Sequence, residues 1–272
     1  MNELAGSLGS RIADLIAVGV PAAAPIPILT VCAVVFAMGW GYRGSVTRWW
    51  ATVVQVAALL AALVVLALQI SDHGWLVEVD GTVTKWLVGH RFPAADQVAL
   101  AVTDVFGPAE TAGAAILLGV VTALKFRSNL SGLVVIMTVG GVSALCAALK
   151  LLMARARPPI GIQETLETDY SFPSGHVTGT GALLGMFVVV VGMNQSATLK
   201  RWLMTAAMAF VAAVAASRLY LEVHWLTDVI AGALLGAAAV GIGATTLRGL
   251  LDDDVDEAAE GVDTTPRREV ML

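Results

Sequence analysis

Three polar patches interrupt a strongly apolar sequence, and each holds residues able to bind or move charge. The stretch Ser217–Asp228 sets Arg218, His224 and Asp228 between two long apolar runs. An ionisable group there costs several kcal/mol unless it is paired or meets water. His224 and Asp228 stand four apart, which puts both on one helical face, so the carboxylate can hold one imidazole nitrogen and leave the other as base or nucleophile. A satisfied buried histidine is the plainer alternative; the nearby Arg218 and the position of Asp228 at the start of an apolar run weigh against it. In the patch Lys150–Pro158, Arg157 follows Lys150 by seven positions, about 700° of helical turn and roughly 10 Å of rise, so two long cations converge from one face. Snorkelling at a helix end accounts for that pair equally well, and Arg155 reads as plain interfacial charge. Pro158 and Pro159 should end the helix. In the third patch, Ser171–His176, Ser174 and Gly175 stand ahead of an apolar run and offer a hydroxyl and unpaired backbone N–H groups to an anion beside His176. Ser174 as an N-cap beside an incidental histidine is the competing view.

The surrounding elements belong to a membrane. Hydrophobic residues make up 57% of the 272 and charged ones 14%, against about 25% charged in soluble domains, and the mean hydropathy is +0.80. Seven runs approach the roughly 20 apolar residues of a spanning helix. They lie at 22–40, 51–70, 110–126, 131–153, 176–193, 202–217 and 225–247, the first being the weakest. The expected fold is all-α: a polytopic membrane bundle of six to seven transmembrane helices with short interfacial helices.

Three regions follow: an N-terminal segment at 1–50 with an extra transmembrane helix, a core at 51–248, and an acidic tail at 249–272. The tail is expected to be disordered and cytoplasmic, since eight of the 21 acidic residues fall in its last 22 positions. Within the core, the connection 71–108 has helical spacing at Val83, Trp86 and Leu87 and again at Val98, Val102 and Val105, as in amphipathic helices at the membrane surface. We read it as a collar with a secondary part in guiding a lipid. Gly181 with Gly185, and Gly232 with Gly236, allow close helix packing.

The N-terminus lacks the basic start of a signal peptide, so we expect no segment to be removed. Net charge is −5, with no basic surface for nucleic acid. Cys32 and Cys146 lie inside apolar runs and suggest neither a disulfide framework nor a metal cluster.

With seven crossings, Arg43, Arg48, Lys125, Arg127, Lys200, Arg201 and Arg248 share one side, which the positive-inside rule makes cytoplasmic, as in a plasma (inner) membrane. All three patches then face outward together. Three cations, a helix N-terminus and two histidines are what phosphoryl transfer uses, because stabilisation there is largely electrostatic and positional. One histidine would attack phosphorus while the other protonates the leaving oxygen. No obvious metal site is expected, the cations taking that part.

At these residues the chain resembles the type-2 phosphatidic-acid phosphatase superfamily. The signature Lys-x6-Arg-Pro, Pro-Ser-Gly-His and Ser-Arg-x5-His-x3-Asp stands complete as Lys150 with Arg157-Pro158, Pro173 to His176, and Ser217-Arg218 with His224 and Asp228. The resemblance implies His224 as the nucleophile forming a phosphohistidine, Asp228 as its orienting partner and His176 as general acid. It implies Lys150, Arg157, Ser174, Gly175 and Arg218 as the phosphate grip, with no cofactor.

The expected activity is metal-independent hydrolysis of a membrane lipid phosphate or pyrophosphate at the outer face, a polyprenyl pyrophosphate being preferred for carrier recycling in wall assembly. Phosphatidic acid, phosphatidylglycerol phosphate and diacylglycerol pyrophosphate are alternative substrates. A vanadium haloperoxidase, or a transporter or binding protein that only grips a headgroup, are competing readings. The membrane character counts against the haloperoxidase; for a protein that only grips, His176 and the His224–Asp228 pair have no use. Protein partners are not indicated.

Overall fold

The computed structural model describes residues 25–39 and 45–263. Every regular element among them is helical: α1 (Pro25–Gly39), α2 (Ser45–Ser71), α3 (Trp75–Val88), α4 (Pro93–Val105), α5 (Pro108–Phe126), α6 (Asn129–Met153), α7 (Gly175–Gly192), α8 (Ala197–Tyr220) and α9 (Leu226–Asp263), with a 3₁₀ turn at Ile160–Ile162. Among the described residues six helices are long and apolar enough to cross a membrane, namely α2 and α5 to α9. The protein is an integral membrane protein, and helices satisfy their own backbone in lipid. Of the weakest expected run, residues 22–24 and 40 lie outside the described residues. Its described part, α1, has 15 residues, about 22 Å of helix against a hydrocarbon core of roughly 30 Å. It packs on α2.

Local chemistry sets the helix ends. Proline opens α4 and α5 at the first turn, where its missing N–H leaves nothing unpaired. Ser196 caps α8 by accepting from the Leu199 N–H at 3.2 Å. The end of α6 departs from expectation. The helix stops at Met153, ahead of the proline pair, because Ala154 takes a left-handed conformation (φ 45°) and returns its N–H to the Lys150 carbonyl. Arg155 and Arg157 therefore lie beyond the helix, and no helical phase relates Arg157 to Lys150.

At the other end, α9 runs on through Asp263, past the point where a disordered tail was expected. Extending a formed helix avoids the nucleation cost, and Ala and Glu in this stretch are good helix formers. Residues 264–272 lie outside the described residues.

The centre of the bundle is α7, which packs against α5, α6, α8 and α9 and buries Val177, Ala182, Met186 and Val190. Glycine permits its approach to α9. A Cβ on Gly232 would lie 2.7 Å from the Ser174 carbonyl oxygen, and one on Gly185 would lie 2.4 Å from Val240 Cγ2.

The connection 71–108 forms two helices as expected, but their faces serve another end. Trp86, Val98 and Val105 are exposed, whereas Asp80, Thr84, Ala99 and Thr103 are buried. Apolar groups outward suit the lipid boundary, and the inward polar groups reach the site described below. Changing Gly232 to Ala should push α9 from the α7 N-terminus and cost about 1–3 kcal/mol, read as a lower thermal midpoint in detergent; an unchanged midpoint would contradict this close contact.

Candidate active site

The site lies where α6 ends, α7 begins, α8 ends and α9 begins. The segment between α6 and α7 closes over it. Arg91, from the α3–α4 connection, pins that segment by donating to Glu164 at 2.6 Å and to the Ile162 carbonyl at 2.6 Å. Ser171 pins its far end through Ser171 N–H to the Arg155 carbonyl at 3.0 Å.

The three expected cations meet here, held by two acids of this segment that the sequence reading did not single out. Lys150 Nζ donates to Asp169 Oδ2 at 2.7 Å and to the Tyr170 carbonyl at 2.6 Å. Arg157 donates through Nη2 to the same carboxylate and through Nη1 to the Val223 carbonyl. Arg218, fully buried, donates to Glu167 Oε1 at 2.5 Å and to Thr103 Oγ1 of α4 at 3.2 Å. Burial alone would raise the Asp169 pKa, but hydrogen bonds from Lys150 and Arg157 outweigh it and hold the group at about 2. For Glu167, burial is likewise outweighed by the Arg218 hydrogen bond and charge, so its pKa is lowered. Both acids are anionic at neutral pH.

His224 and Asp228 touch, though His224 precedes α9. Asp228 Oδ2 accepts the Trp225 N–H at 2.9 Å, an acid in the first turn reaching back to the helix start. The same oxygen lies 3.4 Å from His224 Nδ1. On the other side of the ring, Arg157 Nη1 stands 3.2 Å from Nε2. A guanidinium can only donate, so Nε2 carries the lone pair and Nδ1 the proton in this arrangement. Burial pushes His224 down to about 4, against the opposing pull of Asp228, so the ring is neutral at pH 7.

Ser174 and Gly175 stand at the α7 N-terminus as expected, but the Ser174 hydroxyl makes no cap; the Ser174 N–H instead donates to the Asp228 carbonyl at 3.0 Å. Two buried atoms of the expected grip, Ser174 Oγ and Arg218 Nε, have no hydrogen-bond partner within the protein.

Arg155 is not interfacial charge. Its side chain bridges two buried carboxylates, Asp228 Oδ1 at 2.5 Å and Asp80 Oδ2 at 2.6 Å. The signal available beforehand was the cost of a charge beside an apolar run, which Asp80 and Arg155 both carry.

A cavity of about 450 Å³ joins Lys150, Arg157, His176 and His224 to an apolar arm between α5 and α6, walled by Ala115, Ile116, Ile136 and Val139. Ile136 precedes Lys150 by fourteen residues on α6, about 21 Å along the axis. Ile116 is also 55% exposed on the outer surface. Of the expected residues, Ser174, Arg218 and Asp228 back this cavity without lining it.

Residues 130–249 match the family model of the PAP2 superfamily. This stretch is a PAP2 superfamily domain. It contains all three signature patches, with Lys150, Arg155, Arg157, His176, Arg218 and His224, whereas Asp80, Arg91 and Thr103 lie ahead of it. An undecaprenyl-diphosphatase of Sulfolobus acidocaldarius is 37% identical over 95 residues, 32% of this chain and 41% of that protein. The match thus spans about two fifths of that relative's length. The crystal structure of a transmembrane PAP2-type phosphatidylglycerolphosphate phosphatase from Bacillus subtilis is similar with a TM-score of 0.64 at 23% identity, covering 73% of this chain and 96% of that one. The PAP2 domain thus shares its membrane fold.

The His224 ring should titrate near pH 4. Its lowered value means that the unfolded chain, near 6.5, binds the proton first, so His224 removes stability as pH falls from about 6.5 towards 4. Histidine NMR with His224→Ala for assignment reads this directly; a midpoint near 6.5 would contradict the burial.

Proposed function

We propose that this protein is a lipid phosphatase that hydrolyses a lipid phosphate or pyrophosphate through a phosphohistidine. The observation that carries the reading is a cavity with cations and histidines at one end and an apolar arm at the other. A phosphate at the polar end would be held by Lys150, Arg157, Arg218, the Ser174 hydroxyl and the Gly175 N–H, which has no intrahelical acceptor at the start of α7 and is favoured by the helix dipole. His224 Nε2 attacks phosphorus, the bond to the leaving oxygen breaks, and His176 gives that oxygen its proton. Water, losing a proton to His176, then attacks the phosphohistidine and releases inorganic phosphate. Asp228 keeps the Nδ1 proton in place and balances the imidazolium charge that forms. The charge on the transferring group is met by three cations, which gives the reaction its electrostatic stabilisation without a divalent ion.

The preferred substrate is a polyprenyl pyrophosphate, with lipid monophosphate as the leaving group. The relative named undecaprenyl-diphosphatase supports that choice, and the apolar arm of about 21 Å accepts the start of a long tail. The site is at the bundle end opposite Lys125, Arg127, Lys200 and Arg201, which occupy the α5–α6 and α7–α8 ends. By the positive-inside rule that basic end is cytoplasmic, and the site opens outward at the plasma membrane with the C-terminus inside. The region boundaries are part of the same proposal: a core over 51–248, preceded by the α1 segment and followed by the acidic end of α9.

Purified protein in excess EDTA should release phosphate from polyprenyl pyrophosphate faster than from phosphatidic acid, phosphatidylglycerol phosphate or diacylglycerol pyrophosphate. His224→Ala should abolish release, and His176→Ala should lower kcat by about 10²–10⁴. Activity restored only by Mg²⁺ would contradict the metal-free grip, and a faster phosphatidylglycerol phosphate reaction would reverse the substrate choice. A Leu166→Cys variant should react with an impermeant maleimide in intact cells above the background of Cys32 and Cys146; protection until lysis would place the site inside.

A further inference from the structure

The two oxygens of Asp228 are assigned to different partners. Oδ2 receives the Trp225 N–H at 2.9 Å and faces His224 Nδ1 at 3.4 Å. Oδ1 receives Arg155 Nη1 at 2.5 Å. Arg155 therefore fixes which edge of the carboxylate turns to the imidazole. Its own orientation is set in turn by Asp80 on α3. Arg155 Nη2 donates to Asp80 Oδ2 at 2.6 Å, and Asp80 also accepts the Thr227 N–H at 2.9 Å and the Thr227 hydroxyl at 2.7 Å. The Arg155 guanidinium lies 5.6 Å from the centre of the Trp225 ring, whose Nε1–H donates to the Ala156 carbonyl at 2.9 Å. Asp80 and Asp228 are 1% and 0% exposed.

Two carboxylates around one guanidinium leave one excess negative charge in this buried group. That excess has a use. When His224 Nε2 bonds to phosphorus, its ring becomes a cation, and Asp228 can stabilise it only if Arg155 does not consume the whole carboxylate charge. Asp80 takes up the second face of Arg155 and prevents that.

We propose that Arg155 and Asp80 are positioning residues for the nucleophile, holding Asp228 with Oδ2 turned to His224 Nδ1 and leaving it charge to share. The inference rests on the phosphatase reading for its kinetic consequence, but the state of the His224 ring can be read without it. Arg155 contacts Asp228 directly and Asp80 reaches it through Arg155, so both act through Asp228.

The test uses the full chain in detergent with Arg155→Gln, Asp80→Asn, the double variant and Arg155→Lys, each followed by thermal midpoint, phosphate release and ¹⁵N-histidine NMR. Arg155→Gln strands two buried carboxylates and should lower the midpoint. Adding Asp80→Asn removes one stranded charge and should restore much of that loss. In the double variant kcat should stay down about 10²-fold with KM within about twofold, the cost of a misaimed catalytic group. Arg155→Lys keeps the charge but cannot span both carboxylates, so it should fold and show the same loss. In both variants the His224 tautomer should shift from Nδ1–H to a mixture. Recovery of kcat and of the Nδ1–H tautomer in the double variant would overturn the proposal, leaving Arg155 as a counter-ion to Asp80 alone. If the wild type releases no phosphate, the phosphatase reading falls, and an unchanged His224 tautomer in Arg155→Lys would then overturn the positioning role by itself.

Discussion

The constraint behind this structure is that ions buried at the end of an apolar bundle must be paired. Arg155, Arg157 and Arg218 are each less than a tenth exposed in their side chains, and the bundle around them offers little else that is polar. Removing one partner from such a pair costs about 3–5 kcal/mol. The surface helices α3 and α4 answer that constraint. Their inward faces carry Asp80 to Arg155 and Thr103 to Arg218, while their outward faces stay apolar. The collar is thus tied to the site by charge, and its place in the fold follows from the ions beneath it.

The same pairing defines two classes of cation. Arg155 is satisfied on both sides by carboxylates fixed on helices α3 and α9. Lys150, Arg157 and Arg218 are instead held by Glu167 and Asp169, which stand on the segment between α6 and α7. Asp169 is 55% exposed in its side chain, so water can take its place at modest cost. In the proposed reaction an anionic headgroup would compete with these two acids for the same three cations. In that proposal the apolar arm would add burial of a tail, and burial at about 25 cal/mol per Å² would help offset the exchange.

Much of this was legible in the sequence. The six long apolar runs are the six candidate spans, because hydropathy over about 20 residues is a local property. The eight site residues do gather at one end of the bundle. The gathering does not arise from shared helical faces, as the spacing predicts. Arg157 does not share a helical face with Lys150, since Ala154 ends α6 in a left-handed turn; the two meet through Asp169. His224 does not sit on α9 but just ahead of it, and reaches Asp228 because that acid turns back over the helix start. What stayed hidden was long-range pairing. Asp80 lies 75 positions from Arg155, and no periodicity records such a partner. The inverted faces of α3 and α4 were hidden for the same reason: spacing reveals a stripe, but which side it turns to depends on what lies underneath.

In the proposed reaction His224 Nε2, kept neutral by burial and aimed by Asp228, forms a bond to phosphorus. Rapid acid-free quenching of the enzyme during turnover of a lipid pyrophosphate labelled in its terminal phosphate tests this most directly. The expected result is protein-bound phosphate that is stable in alkali, labile in acid, located on the peptide carrying His224 and absent from His224→Ala. Turnover at the full rate with no label on that peptide at any quench time would contradict it.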